Sequence, residues 1–285
     1  TIRAILTAAG IAIVCAQAAA TYPIGRERIE VVEEFSTTTH GRLRPDPTYT
    51  PLGTFNGVTY LVWVNAQRYP IVTRISGGDS RSLRLDPNDA YKPLDDGHHK
   101  FSLGIDPRGY IHIVGDMHMH PLNNNDHLSP PYRDSRCLYW VSDEPESIES
   151  FTFVGNDSKR VPPLTGYSYY YFDNDRNGVL YLAARIRTKR GWQPGNTGYG
   201  LARYDTDSRR WTAFGAVPPD RDWPAVFWED NGAKGGAYQS MKGDIWFDGQ
   251  NRLHITTTIN NDNSFNAAGG SSSLSMTHVL YARSD

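Results

Sequence analysis

The strongest constraint on this chain is a unit that recurs along it: a turn of Asp, Asn and Gly, followed at once by a run that alternates or is wholly apolar. It reads "FNGVTYLVWV" from Phe55, "IDPRGYIHIV" from Ile105, "DNDRNGVLYLAARI" from Asp173 and "FDGQNRLHITTTI" from Phe247. The turn residues favour hairpins, and the β-branched and aromatic residues after them suit a pleated surface, so each unit predicts a strand pair. Further strands are predicted at "CLYWVSD" from Cys137, "GLARYDTDSRRWTAF" from Gly200 and "HVLYARSD" from His278. No window sustains apolar residues at i, i+3, i+4 and i+7, so helices are at most incidental.

The units start roughly 50 to 75 residues apart, against about 40–50 for compact propeller blades. Long connections at 118–136, 187–199 and 215–236 account for the excess. The expected fold class is therefore all-β, a β-propeller of repeated four-stranded sheets. Short alternating strands also build β-sandwiches, and alternation alone does not choose between the two. The high aromatic content, 12%, and the 26 Gly and 18 Pro fit strands and turns better than helices.

Residues 1–20 have the layout of a secretory signal peptide: Arg3, an apolar run from Ala4 to Cys15, then Ala16, Ala18 and Ala20. The run is too short to cross a bilayer as a mature helix, so a secreted protein without a membrane partner is expected, with 21–285 as one propeller domain. Beyond the leader only Cys137 remains, which excludes an intrachain disulfide and leaves stability to packing. A net charge of −2 with interspersed signs offers no broad field for a nucleic-acid backbone. No glycine-rich phosphate motif accompanies the strands, so no nucleotide or redox cofactor is implied. The chain stops at "YARSD", at the start of another turn, so either the propeller is incomplete at its C-terminal side or the ring closes with few blades.

Five of the nine histidines fall in "DDGHHKFSLGIDPRGYIHIVGDMHMH", residues 95–120, with His127 just beyond. His118 and His120 have the H-x-H spacing that puts two imidazoles on one strand face, a common way to chelate a metal. A third ligand would have to come from His98, His99, His127 or Asp116. Structural zinc usually draws on several cysteines, which this chain lacks, so a metal here is the lesser reading. His112 in "YIHIV" and His254 in "RLHITT" occupy matching places in two units, as expected of architectural side chains bonded to a neighbouring strand. His98 and His99 follow a turn and precede a strand, where a propeller opens onto its ligand-binding face; adjacent residues point to opposite sides, so at most one of the two faces a site, and a solvated loop histidine is the competing reading.

"GYSYYYFDND" places Tyr167, Tyr169 and Tyr171 on one face of a strand and Tyr170 on the other. "AARIRTKR" adds Arg185 and Arg187 on a shared face, and only arginine offers the fork that grips a planar carboxylate from two sides. Tyr238 follows two glycines and leads into the last unit. Trp192, Trp223, Phe227 and Trp228 lie in or near long loops, where they either pin the loop or stack on sugar rings. Packing alone also explains most such tyrosines.

Taken together, "DGHHKFSLGIDPRGYIHIVGDMH", "GYSYYYFDNDRNGVLYLAARIR" and "AYQSMKGDIWFDGQNRLHITTTI", with "HVLYARSD" after them, resemble secreted polysaccharide lyases built on a BNR-type β-propeller. These include ulvan lyases and a lyase acting on L-rhamnose-α-1,4-D-glucuronate. The resemblance covers most of the chain from about residue 50 onward. It implies a seven-bladed fold in the family and a monomeric enzyme acting on a uronic-acid polysaccharide. It further implies β-elimination at rhamnosyl-glucuronate linkages with no cofactor needed for the chemistry, leaving room for a structural divalent metal. It assigns the site to His98, His118, Tyr169, Arg185 and Tyr238, with His99 an alternative to His98. Where relatives commonly have a "TYPRF"-like stretch this chain has "SYYYF", so Tyr170 and Tyr171 stand as alternatives to Tyr169. The competing functions are a sialidase-like glycoside hydrolase, for which Asp95, Asp96, Asp116, Glu229 and Asp244 are candidate acids, and a non-catalytic glycan-binding propeller.

Overall fold

The structure is a computed structural model that describes residues 21–24, 27–30 and 50–285, except 66, 68, 87–100, 116–129, 133, 134, 136, 165–167, 188–196, 218–223, 229–237, 240–243 and 261–275. The chain divides into two compact units, Thr1–Ser36 and Thr37–Asp285. In the first, β1 (Thr21–Ile24) pairs antiparallel with β2 (Glu27–Glu30).

Among the described residues, the second unit holds four antiparallel sheets laid down in sequence order. Sheet 1 is β3 (Leu52–Phe55), β4 (Val58–Val64), β5 (Pro70–Ser76) and β6 (Asp79–Arg84). Sheet 2 is β7 (Phe101–Ile105), β8 (Ile111–Gly115), β9 (Tyr139–Ser142) and β10 (Phe151–Phe153). Sheet 3 is β11 (Ser168–Asn174), β12 (Leu180–Arg187), β13 (Thr197–Asp205) and β14 (Arg210–Phe214), with β15 (Phe227–Trp228) pairing with β13 beyond β14. In sheet 4, β16 (Tyr238–Gln239) and β17 (Asp244–Phe247) share one edge of β18 (Leu253–Asn260), and β19 (Met276–Arg283) takes the other.

The first strands stand side by side, β7 against β3 and β11, and β11 against β17. These are propeller blades, and no helix occurs among the described residues. The stacking explains the burial pattern. Sheet 2 lies between sheets 1 and 3, so β7, β8 and β9 are buried at every position, and "IHIVG" and "YWVS" read as continuous rather than alternating runs. β4, by contrast, alternates strictly between buried and half-buried positions. A sandwich would leave one face of each sheet outward, which sheet 2 does not do. Gly104 permits the close approach of sheets 2 and 3: a Cβ there would sit 2.7 Å from the Phe172 ring.

The recurring turn has one construction in sheets 2, 3 and 4. Asp106 Oδ1 accepts the N–H groups of Arg108 and Tyr110, Asp175 Oδ1 those of Asn177 and Val179, and Asp248 Oδ1 those of Gln250 and Arg252. The residue three places after each aspartate is left-handed, Gly109 at φ 87°, Gly178 at 80° and Asn251 at 60°, which is why Gly or Asn stands there. Sheet 1 instead uses Asn56 and Gly57, both left-handed, as the two-residue turn that matches strand twist. The first strands and outer strands expected from the sequence are all present; β5, β6 and β10 were not foreseen. Phe227 and Trp228, read from the sequence as loop aromatics, form β15, because the chain after β14 returns to the free edge of β13.

Candidate active site

The site begins with an irregularity at the head of β11. Ser168 is the register partner of Arg185 and Tyr171 that of Ala183, so β11 carries one residue more than β12 between these pairs. The extra residue is accommodated at Tyr169, whose φ is 52°. Such a conformation is costly for an aromatic residue, on the order of 1–3 kcal/mol, and marks a bulge. The expected alternation of Tyr167, Tyr169 and Tyr171 on one face is therefore broken after Ser168. Tyr169 and Tyr170 are buried at 7% and 1% exposure, and Tyr171 is half-buried against the core shared by sheets 3 and 4.

The bulge brings two consecutive residues onto one guanidinium. Arg185 Nε donates to Ser168 Oγ at 2.8 Å, and the guanidinium carbon lies 4.5 Å from the centre of the Tyr169 ring. Arg185 is 4% exposed and Ser168 2%. A buried arginine needs both hydrogen bonds and compensation of its charge, and a ring face supplies part of the latter. The Tyr170 carbonyl accepts the Ser102 hydroxyl at 2.8 Å. Ser102 in turn accepts the Thr50 N–H, and Thr50 Oγ1 accepts the Phe172 N–H. The head of β11 is thus tied to the head of β7.

Of the residues assigned from the sequence, Tyr169 and Arg185 are brought into contact. Tyr238 opens β16, opposite Asn260, and β16 adjoins β13, the strand whose Tyr199 is the register partner of Arg185. His98, His99, His118, His120 and His127 lie outside the described residues. The strands they flank in sequence, β7 and β8, have Phe101 and Gly115 as register partners, at the end of sheet 2 tied to the head of β11. Arg185 and Arg187 stand two places apart on β12, with Tyr199 and Thr197 as their register partners on β13. Among the described residues no group of three or more His, Cys, Asp or Glu is arranged to hold a metal.

Below the bulge the same face of β11 carries Tyr171 and Asp173, with Asp244 of β17 nearby. Burial pushes the Asp173 carboxyl up to about 6, aided by the Asp244 charge. Burial also raises Asp244, and burial with both carboxylates pushes the Tyr171 phenol up to about 12. A cleft of about 450 Å³ runs along the first strands, lined in part by Thr50, Gly53, Gly104, Tyr171, Asp173 and Asn174. Ser168 and Asp173 were not singled out from the sequence. Asp173 was legible in principle, two places from Tyr171 on an inner strand; Ser168 was not, because the bulge that aims it leaves no compositional mark.

His112 and His254 are architectural, as their repeated position suggests. His112 is fully buried, its Nδ1 2.5 Å from the Tyr139 hydroxyl, and His254 bonds Tyr281 at 2.8 Å and Asp248 at 3.0 Å. Cys137 is a buried free thiol whose pKa burial raises.

The pattern that defines the BNR repeat-containing family matches residues 58–284. No curated protein matches the chain. Among solved structures, the polysaccharide lyase Uly1 superposes with a TM-score of 0.53 at 14% identity, over 74% of this chain and 48% of the lyase. A PL25 ulvan lyase bound to -[GlcA(1-4)Rha3S]- gives 0.51 at 14% identity, over 75% and 46%. An endo-arabinase from Bacteroides thetaiotaomicron gives 0.41 at 13% identity, over 80% and 74%. At these identities the likeness of the two lyases shows the fold alone, and the chain spans about half the length of each.

Proposed function

The chain belongs to the BNR repeat-containing family, and on that premise we propose that it is a carbohydrate-active enzyme that cleaves rhamnosyl-α-1,4-glucuronate linkages by β-elimination. The observation that carries the reading is the buried Arg185 held between Ser168 Oγ and the Tyr169 ring at the head of an inner strand. A fixed guanidinium suits the hardest part of the reaction. The C5 proton of a uronate is weakly acidic while the carboxylate keeps its charge, and pairing that carboxylate with arginine stabilises the aci-carboxylate that forms as the proton leaves.

The remaining roles follow from the chemistry. His98 or His118 takes the C5 proton or orients the carboxylate, and the Tyr169 or Tyr238 hydroxyl protonates the departing 4-O oxygen. The C5–H electron pair becomes the C4–C5 double bond as the C4–O bond breaks, so the products are a 4,5-unsaturated uronate and a sugar with a free hydroxyl. A secreted enzyme with residues 1–20 as leader, acting alone on a uronic-acid polysaccharide, is consistent with this chemistry.

A glycoside hydrolase is the second reading, and Asp173 with Asp244 favours it. Two desolvated carboxyls, one holding its proton up to about 6, have the character of a general acid. Mass spectrometry of products from a rhamnose–glucuronate polysaccharide separates the two. Elimination yields new ends lighter by one water than the hydrolysis products, and fully hydrated products would overturn the lyase reading.

A further inference from the structure

We infer that Ser168 is a positioning residue for Arg185, and that the bulge at the head of β11 exists to deliver it. The inference rests on the role proposed for Arg185 above. In a regular strand, consecutive residues point to opposite faces, so one arginine on the neighbouring strand meets either Ser168 or Tyr169, not both. Here both meet Arg185: Ser168 from its register position, Tyr169 because its left-handed backbone turns the ring back over the guanidinium.

The two contacts fix different freedoms. The guanidinium carbon sits over the Tyr169 ring, which blocks movement of the group toward that side. The Ser168 hydroxyl accepts from Nε, the donor nearest the side-chain stem, and so fixes rotation of the planar group about its own axis. Two-point recognition of a carboxylate depends on that rotation, because parallel N–H groups engage two oxygens only in one plane. Tyr199, 1% exposed and the register partner of Arg185 across β12 and β13, flanks the arginine on its other side. The strained Tyr169 backbone is held by the tie from Ser102 to the Tyr170 carbonyl. A serine fits this place because its hydroxyl is short; the side chain is 2% exposed and packed in the sheet.

A positioning role predicts loss in the transition state rather than in binding, since the aci-carboxylate depends on alignment more than the ground-state carboxylate does. Ser168→Ala in the full chain is expected to lower kcat for elimination about tenfold to a hundredfold, the worth of one charge-assisted hydrogen bond, with KM changed less than threefold. Ser168→Thr, which keeps the hydroxyl, is expected to recover most of the loss. A second measurement needs no turnover: in protein labelled with 15N-arginine, the Arg185 Nε–H resonance is expected to exchange slowly with solvent, to exchange faster in Ser168→Ala, and to be restored in Ser168→Thr. An unchanged resonance in Ser168→Ala overturns the inference whatever the substrate. If Arg185→Ala abolishes elimination while Ser168→Ala keeps wild-type kcat, the positioning role fails and the lyase reading stands. If Arg185→Ala is itself fully active, the lyase reading fails, and the resonance alone decides on Ser168.

Discussion

His112 Nδ1 lies 2.5 Å from the Tyr139 hydroxyl on sheet 2, and the same bond recurs on sheet 4 between His254 and Tyr281. Each histidine stands six residues after the aspartate of its turn, Asp106 or Asp248. The two copies differ in their cover. On sheet 2 the Tyr204 ring meets His112 edge-on at 4.5 Å, and Trp211 Nε1 donates to the Tyr139 hydroxyl at 3.3 Å, so the pair is buried by sheet 3. On sheet 4 Trp246 stacks on His254 at 4.8 Å and Tyr281 is 56% exposed. One bond is thus made in two dielectric settings.

Removing the hydroxyl should therefore cost unequal amounts. Tyr139→Phe leaves His112 Nδ1 and the Trp211 N–H buried without their partner and is expected to destabilise by about 1–3 kcal/mol. Tyr281→Phe exposes the same nitrogen to water and is expected to stay within about 0.5 kcal/mol of wild type. Urea denaturation of both variants measures the difference; equal costs would contradict the account of the covered pair.

Acid should act through His112. Burial holds its pKa below the ordinary histidine value, and the Asp106 carboxylate, 3.7 Å from Nε2, only partly offsets this. Below about pH 6.5 the unfolded chain takes up a proton that the folded chain resists, so stability is present above that pH and is lost as pH falls. The groups around the ring are Asp106, Tyr139, Tyr204 and Trp211, with the Arg160 charge disfavouring protonation further. His112→Leu should flatten the stability profile between pH 6.5 and 5, read by thermal melting at each pH.

Asp173 should act with the opposite sign. Its folded pKa, about 6, lies above the unfolded value near 3.9. Between those values the folded state binds the proton more tightly, so stability falls as pH rises through the window and the penalty is complete above it. Asp173→Asn should therefore melt at a higher temperature than wild type at pH 7.5 and at nearly the same temperature at pH 4. A variant less stable than wild type at pH 7.5 would rule out an uncompensated carboxylate there.

Gly104 tests the blade contact. A methyl group there meets the Phe172 ring at 2.7 Å and Leu180 at 2.8 Å, both buried. Gly104→Ala is expected to destabilise by about 1–3 kcal/mol through overpacking, since neither sheet can move without disturbing its neighbour. A melting temperature equal to that of wild type would show that the two sheets pack less closely than described.

Much of the blade pattern was legible in the chain. The Asp-x-x-Gly and Asp-x-x-Asn turns, with Asn-Gly in sheet 1, and the apolar runs after them located one hairpin in each sheet, because a turn that needs a left-handed residue and a strand buried on both faces each restrict sequence strongly. β6, "DSRSLR", carries no legible signal, because an outer strand largely open to water is under no such restriction. At the site, Arg185 was legible as one of two cations, with Arg187, in a largely apolar strand, and Tyr169 as one of a run of tyrosines. Which tyrosine meets the arginine was not, because alternation assumes a regular strand, and the bulge shifts every side chain after it by one place.

Arg185 is assigned the stabilisation of the aci-carboxylate that forms from a uronate as its C5 proton leaves. The direct measurement follows the ultraviolet absorbance of a C4–C5 unsaturated uronate while the chain is incubated with a rhamnose–glucuronate polysaccharide, in parallel with Arg185→Ala of unchanged melting temperature. That role predicts rising absorbance with the wild-type chain and a rate at least about a hundredfold lower with the variant, the usual effect of removing one electrostatic stabiliser of the transition state. Cleavage without the chromophore, or equal rates for the two proteins, would contradict it.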